Sequence, residues 1–202
     1  MFVSFEGLDG SGKTTQAALL AGRLRGEGRE VVATREPGGT ALGERIRELL
    51  LSGNDVAPWA EAALFAAARA ELVARVIGPA IARGADVVCD RYVDSSLAYQ
   101  GIARGLGVEA VLALNRAAIG DLLPDRTFLL LLDPETARVR GGSARDRIER
   151  EGLEFWRSLD DAYRRLAERY PGRIVTLDGS LPAGELADAV RQNLLSSGAR
   201  TP

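Results

Sequence analysis

Short runs of β-branched and aliphatic residues alternate along the chain with longer stretches in which apolar positions recur every three or four residues. The runs Phe2–Phe5, Glu30–Thr34, Asp86–Cys89, Thr127–Leu132 and Arg173–Leu177 have the length and side chains of strands. Val87-Val88 and the continuous Phe128 to Leu132 are apolar on both faces, the pattern of strands covered on both sides. Helical periodicity covers Gln16–Arg25, Thr40–Leu51, Ala60–Arg75, Leu153–Tyr170 and Ala183–Leu195. In the second of these, Leu42, Ile46, Leu49 and Leu50 share a face and Gly53 follows as a cap. In the third, Leu64, Phe65, Leu72 and Val76 form a stripe that Pro79 kinks or ends. Asp133-Pro134 opens one more helix, with an acid at the N-cap and proline at the first position. The alternation predicts an α/β domain in three layers, a five-stranded parallel sheet with helices on both faces. The 202 residues make one domain, with no internal repeat or linker. Ligands of such sheets collect at the carboxyl ends of the strands, so the residues after each strand are the site candidates.

After the first strand comes Gly7-Leu8-Asp9-Gly10-Ser11-Gly12-Lys13-Thr14-Thr15, which fits the phosphate-binding pattern G-x-x-x-x-G-K-[ST] between a strand and a helix. Lys13 is the only lysine; every other one of the 26 basic residues is arginine. Arginine serves wherever a general positive charge is needed, and lysine is kept where a compact ammonium must reach between phosphates. The glycines turn backbone N–H groups toward a triphosphate, and the helix that follows adds the positive end of its dipole. Thr14 is placed to put its hydroxyl on Mg²⁺ and Thr15 to reach the α-phosphate, the pattern of a P-loop NTPase fold, which many nucleotide-binding proteins share.

The net charge of −2 supplies no overall basic field, which argues against a nucleic-acid partner. No signal peptide is recognisable and no apolar stretch approaches the ~20 residues of a membrane span, so the chain reads as cytoplasmic. The single cysteine, Cys89, is read as a core residue and excludes a disulfide framework. Histidine is absent, which removes histidine-based triads and zinc sites but not phosphoryl transfer, a reaction of positioning and charge.

Asp90-Arg91-Tyr92 closes the third strand, and an aspartate there beside a P-loop holds Mg²⁺ directly or through water. Arg91 has the fork for a pair of phosphate oxygens. The same tripeptide also suits a surface ion pair, and Arg35-Glu36-Pro37-Gly38-Gly39-Thr40 fits a ligand-approaching turn and a plain strand-to-helix loop equally well.

Taken together, Gly7 to Thr15, Arg35 to Thr40, Phe65-Ala66-Ala67-Ala68-Arg69, Asp90-Arg91-Tyr92 with Ser95 to Gly101, and Asp146-Arg147-Ile148-Glu149 closely resemble the bacterial thymidylate kinases. The resemblance runs from Met1 to about Leu195 and implies transfer of a phosphoryl group from ATP to dTMP, with Mg²⁺ as cofactor and a homodimer as the usual assembly. It implies that Phe65 stacks on thymine and Arg69 donates to its O4. Ser96 and Gln100 would line the base and sugar pocket, and Tyr99 would crowd the sugar C2′. Asp9 would contact the acceptor 3′-hydroxyl, while Glu36 and Pro37 shape the pocket, Pro37 at a cis position. Arg47 and Arg91 would grip the dTMP phosphate.

The arginine-rich stretch at about 138–152 resembles the family's lid, which closes over the triphosphate and excludes water. Gly10 stands where one type of family member has a catalytic arginine, so the charge is expected from the lid. Gly141-Gly142-Ser143 replaces basic residues of related lids and leaves Arg145 and Arg147 as the catalytic candidates, with Arg140 flanking adenine. The alternatives from the residues are a P-loop kinase for another nucleotide or nucleoside, and a regulatory ATPase. A GTPase is excluded, because the guanine motif Asn-Lys-x-Asp needs a second lysine.

Overall fold

The computed structural model describes residues 1–52, 55–141, 147 and 151–196. Gly53, the expected cap, and Gly142, Ser143, Arg145, Asp146, Ile148, Glu149 and Arg150 of the lid lie outside the described residues. Five strands, β1 (Phe2–Gly7), β2 (Val31–Arg35), β3 (Asp86–Asp90), β4 (Arg126–Leu131) and β5 (Ile174–Asp178), form one parallel sheet in the order β2-β3-β1-β4-β5. All five expected runs are strands, and four reach one or two residues farther at the carboxyl end, toward the loops that carry the site. Burial follows position in the sheet: β1 is buried throughout, whereas the edge strands β2 and β5 are partly exposed.

The strand period of two divides the sides of β1. Val3 and Phe5 pack with Phe128 against α1 (Lys13–Gly26) and α9 (Ala183–Ser196), where Leu20, Leu24, Leu186 and Val190 close the layer. Phe2, Ser4 and Glu6 alternate with these. Phe2 packs edge-on to Tyr92. Ser4 shares a hydrogen bond with Thr127, which donates to Asp94, and Asp94 is held by both guanidinium nitrogens of Arg173. On that side α8 (Leu153–Arg169) contributes Trp156, Leu159, Tyr163 and Leu166 to the core. Gly7 ends β1 at φ +134°, and a Cβ there would sit 2.4 Å from the Leu130 carbonyl oxygen. The chain can leave the strand at this point only as glycine.

Asp133 caps α7 (Pro134–Arg140) by accepting from the Thr136 amide, as the Asp-Pro pair predicts. Thr40 caps α2 (Ala41–Leu51), accepting from the Gly43 amide, and Ser52 ends that helix. Pro79 does not end the long helix. After α3 (Pro58–Leu72) the chain makes a π-helical turn over Val73–Ile77, with the Gly78 amide bonded to the Val73 carbonyl. Pro79 then occupies the first turn of α4 (Gly78–Ala82), where no N–H is required. A second π-helical segment, Leu97–Ala103, continues α5 (Val93–Ser96) and leads to α6 (Val108–Ile119), a helix the periodicity left unassigned. Among the described residues no helix is long and apolar enough to cross a membrane.

Candidate active site

The loops that end β1, β2 and β3 meet at one edge of the sheet. Gly12 precedes α1 in the left-handed region at φ +95° and supplies no side-chain cap, so the amino end of the helix remains open to an anion. The Lys13 ammonium lies buried across the loop and donates to the Leu8 carbonyl at 2.7 Å and to Asp9 Oδ1 at 3.3 Å. Burial and the neighbouring Arg91 lower its pKa, against the pull of Asp9 and Asp90. Thr14 donates to Asp90 Oδ2, while the other carboxylate oxygen, Oδ1, is buried without a partner. Thr15 follows in the first turn of α1, exposed.

Beside the P-loop opens a cavity lined by Asp9, Glu36, Pro37, Arg47, Leu51, Phe65, Arg91, Ser95, Ser96, Tyr99 and Gln100. The expected acceptor residues therefore come together, with one exception. Arg69 does not line the cavity. It is 1% exposed, and all of its N–H donors are engaged: with Glu36 Oε2, Ser96 Oγ, Asn115 Oδ1 and the Tyr92 carbonyl. In this arrangement it braces Glu36 and Ser96 from behind; direct donation to a base needs one of these bonds to be exchanged. Burial pushes the Glu36 carboxyl up despite Arg69, and its Oε1, facing no protein partner, stands ready for a donor on the ligand. The Glu36–Pro37 peptide is cis, as the resemblance implies, and Arg47 donates to the Pro37 carbonyl at 3.0 Å.

Asp9 joins the two halves of the site. Its Oδ1 accepts from Lys13 and, at 2.6 Å, from Arg91 Nη2. Burial disfavours the ionised carboxyl, but Arg91 and Lys13 overcome it and hold Asp9 well below the usual carboxylate range. Arg91 has φ +68°, a left-handed backbone that costs a non-glycine residue roughly 1–3 kcal/mol and is found where surroundings enforce it. Its guanidinium also donates to Ser95 Oγ and to the Tyr163 hydroxyl, both at 3.1 Å, and lies over the Tyr99 ring.

The arginines of the stretch expected to form a lid divide between the P-loop side and the cavity side. Arg140 donates to the Gly179 carbonyl after β5. Arg147 does not reach the P-loop: it donates to the Leu50 carbonyl and to Glu61 Oε2, on the far side of the cavity. Glu61 also accepts from Gln100 Nε2 at 2.8 Å. At the P-loop, Gly10 has φ +82°, and a Cβ there would meet the Ala137 carbonyl oxygen at 2.4 Å and the Gly141 nitrogen at 3.0 Å. The carboxyl end of α7 is thus seated directly on the loop. Gly10→Ala is expected to cost about 1–3 kcal/mol of unfolding free energy in a urea titration, the order of a strained backbone position. It is also expected to weaken binding of a nucleoside triphosphate at the loop while binding in the neighbouring cavity stays unchanged.

A sequence profile described as thymidylate kinase matches residues 5–190. The chain belongs to the thymidylate kinase family. It is 51% identical over 187 residues to the thymidylate kinase of Synechococcus sp. strain JA-2-3B'a(2-13), covering 93% of this chain and 90% of that one. To that of Pelotomaculum thermopropionicum it is 52% identical over 184 residues, 89% and 85% of the two chains. The crystal structure of thymidylate kinase from Ehrlichia chaffeensis superposes with a TM-score of 0.80 at 34% identity, covering 96% of this chain and 98% of that one.

Within this family fold, several residues at the site went unassigned from sequence. Glu6 is fully buried behind Arg91, and burial with the nearby Asp94 carboxylate pushes its carboxyl up to about 7, opposed by Arg91. Tyr163 on α8, Ser95, Leu51 and Glu61 complete the walls and supports. Glu6 had a local signal: a carboxylate in an otherwise apolar strand, directly before the P-loop. Tyr163 had none, since it reads as one more core aromatic of a periodic helix.

Proposed function

We infer that the chain transfers the γ-phosphoryl group of ATP to the 5′-phosphate of dTMP, giving dTDP and ADP. The observation that carries this reading is the bridge at Asp9. One carboxylate oxygen accepts from the P-loop ammonium and from the guanidinium that faces the acceptor cavity, so two cations stand one oxygen apart between two ligand spaces. A donor phosphate on Lys13 and an acceptor phosphate on Arg91 and Arg47 then lie in register for in-line transfer, with the negative charge of the transferring group met from both sides. The wall of Phe65 and Tyr99 suits a flat base and a deoxyribose, and Gln100, Ser96 and Glu36 Oε1 give its edge polar partners. A lid arginine, Arg145 or Arg147, completes the screening on closure, with Arg140 beside the adenine; Arg145 lies outside the described residues, and Arg147 would have to leave Leu50 and Glu61.

Magnesium fits the donor set at Thr14 and Asp90, where the unpartnered Asp90 Oδ1 has the character of a ligand for a hard cation or its water. No group of three ligating side chains occurs among the described residues, in keeping with an ion held mainly by phosphates and water. When bound, it neutralises charge on the β- and γ-phosphates. A cytoplasmic homodimer without nucleic-acid or membrane partners accompanies this reading; the free, buried Cys89, the net charge of −2 and the exposed Trp59, Leu42 and Leu49 support it.

A coupled assay of ADP release tests the reaction. ADP is expected only when dTMP is present, with dTDP formed in equal amount. Turnover without any acceptor would instead identify a regulatory ATPase, and turnover with another nucleotide or a nucleoside would reassign the cavity.

A further inference from the structure

We propose that Glu6 is a positioning residue for the acceptor phosphate: it sets the direction of two hydroxyls so that their lone pairs hold the Arg91 guanidinium. The proposal rests on the acceptor-site reading above and adds to it the group that keeps Arg91 in place.

Glu6 Oε1 accepts from the backbone amides of Tyr92 at 2.8 Å and Ser95 at 3.2 Å. These amides belong to the turn that begins at Arg91, so the carboxylate pins the chain just where the backbone is left-handed. Glu6 Oε2 takes the hydroxyls of Ser95 at 2.6 Å and Tyr163 at 3.0 Å. Arg91 Nη1 meets the same two hydroxyl oxygens, each at 3.1 Å. A guanidinium nitrogen only donates, so both hydroxyls must turn their lone pairs toward Arg91 and their protons elsewhere. The two hydroxyls also lie 3.1 Å from each other, so their protons have two acceptors within reach, the neighbouring hydroxyl and Glu6 Oε2, and only Glu6 Oε2 can take both. The arrangement is a three-membered relay, carboxylate to paired hydroxyls to guanidinium, and it leaves Arg91 Nη2 directed at Asp9. A carboxylate in an apolar strand is costly to bury without several hydrogen bonds, and here all of them lead to Arg91 or to its turn.

Glu6→Gln separates the relay from the fold. The amide oxygen still accepts from the two backbone N–H groups, but the amide nitrogen donates to the hydroxyls, so it competes with Arg91 for their lone pairs and removes the acceptor for their protons. Binding of dTMP and of a non-hydrolysable ATP analogue is measured by calorimetry for Glu6→Gln and for Tyr163→Phe. Kd for dTMP is expected to rise about tenfold in Glu6→Gln and about threefold in Tyr163→Phe, with Kd for the ATP analogue within twofold. In an Arg91→Met background, Glu6→Gln is expected to change dTMP binding by less than twofold, since the group it positions is gone. Unchanged dTMP binding in both single variants, or an equal fold-change with and without Arg91, would overturn the proposal. If Glu6→Gln does not fold, Tyr163→Phe decides alone by the same comparison. Were Arg91→Met itself to bind dTMP normally, the acceptor-site reading would fall first, and the proposal with it.

Discussion

Replacing Lys13 with methionine is expected to lower kcat on the order of 10³-fold while dTMP still binds. The ammonium lies buried between the Leu8 carbonyl and Asp9, on the only lysine of the chain. Burial and the nearby Arg91 work against its charge, and Asp9 and Asp90 favour it. A triphosphate adds counter-charge to that of Asp9, and the interaction strengthens as charge spreads over the transferring group, which is the kind that changes kcat. Lys13→Arg is expected to fail nearly as badly. A guanidinium is broader than an ammonium and brings donors in a fixed fork to a space with one carbonyl and one carboxylate oxygen. Steady-state kinetics with both nucleotides varied, together with dTMP calorimetry, checks both variants. An arginine variant within tenfold of the parent would show that only charge is needed at this position.

The role of Lys13 is legible in the sequence alone, for a physical reason. A P-loop is a local device: strand, glycine turn, lysine and helix lie within a few residues of one another, so spacing alone specifies the chemistry. The same holds for the five strands and for the Asp133-Pro134 start of α7, where cap and fixed φ act over one turn. The acceptor side is different. Arg69 reads as the neighbour of Phe65 one turn on, but its environment comes from Glu36, Tyr92, Ser96 and Asn115, up to 46 residues away, and these bury it. Asn115 sits on α6, a helix that periodicity alone did not assign, so the clamp around Arg69 was invisible from either end. The π-helical turns at Val73–Ile77 and Leu97–Ala103 also leave no local mark, because the extra residue per turn is tolerated where packing requires it. Arg147 was read with the lid to which it belongs in sequence, yet it bonds to Glu61, 86 residues earlier. Long-range partners decide what a charged side chain does, and no pattern of spacing contains them.

Arg91→Met is the second large effect, expected to reduce kcat/KM for dTMP on the order of 10³-fold. Three bonds disappear together, to Asp9, Ser95 and Tyr163, along with the cation that lines the cavity proposed for the acceptor. The pH dependence carries the more specific signature. In the parent, burial raises Asp9 but Arg91 and Lys13 outweigh it, so the carboxylate stays ionised far below neutral pH and sets no acid limit on activity. Without Arg91, burial is opposed by Lys13 alone and the folded-state pKa rises. A raised carboxyl pKa means proton uptake as the pH falls, so the residual activity of Arg91→Met is expected to decline through an acid limb that the parent lacks. Adding Asp9→Asn to that variant is expected to flatten the limb, since the group that titrates is then absent. A residual rate with the parent's pH profile would mean that Asp9 does not depend on Arg91 for its charge, and the bridge between donor and acceptor phosphates would have to be sought in other residues.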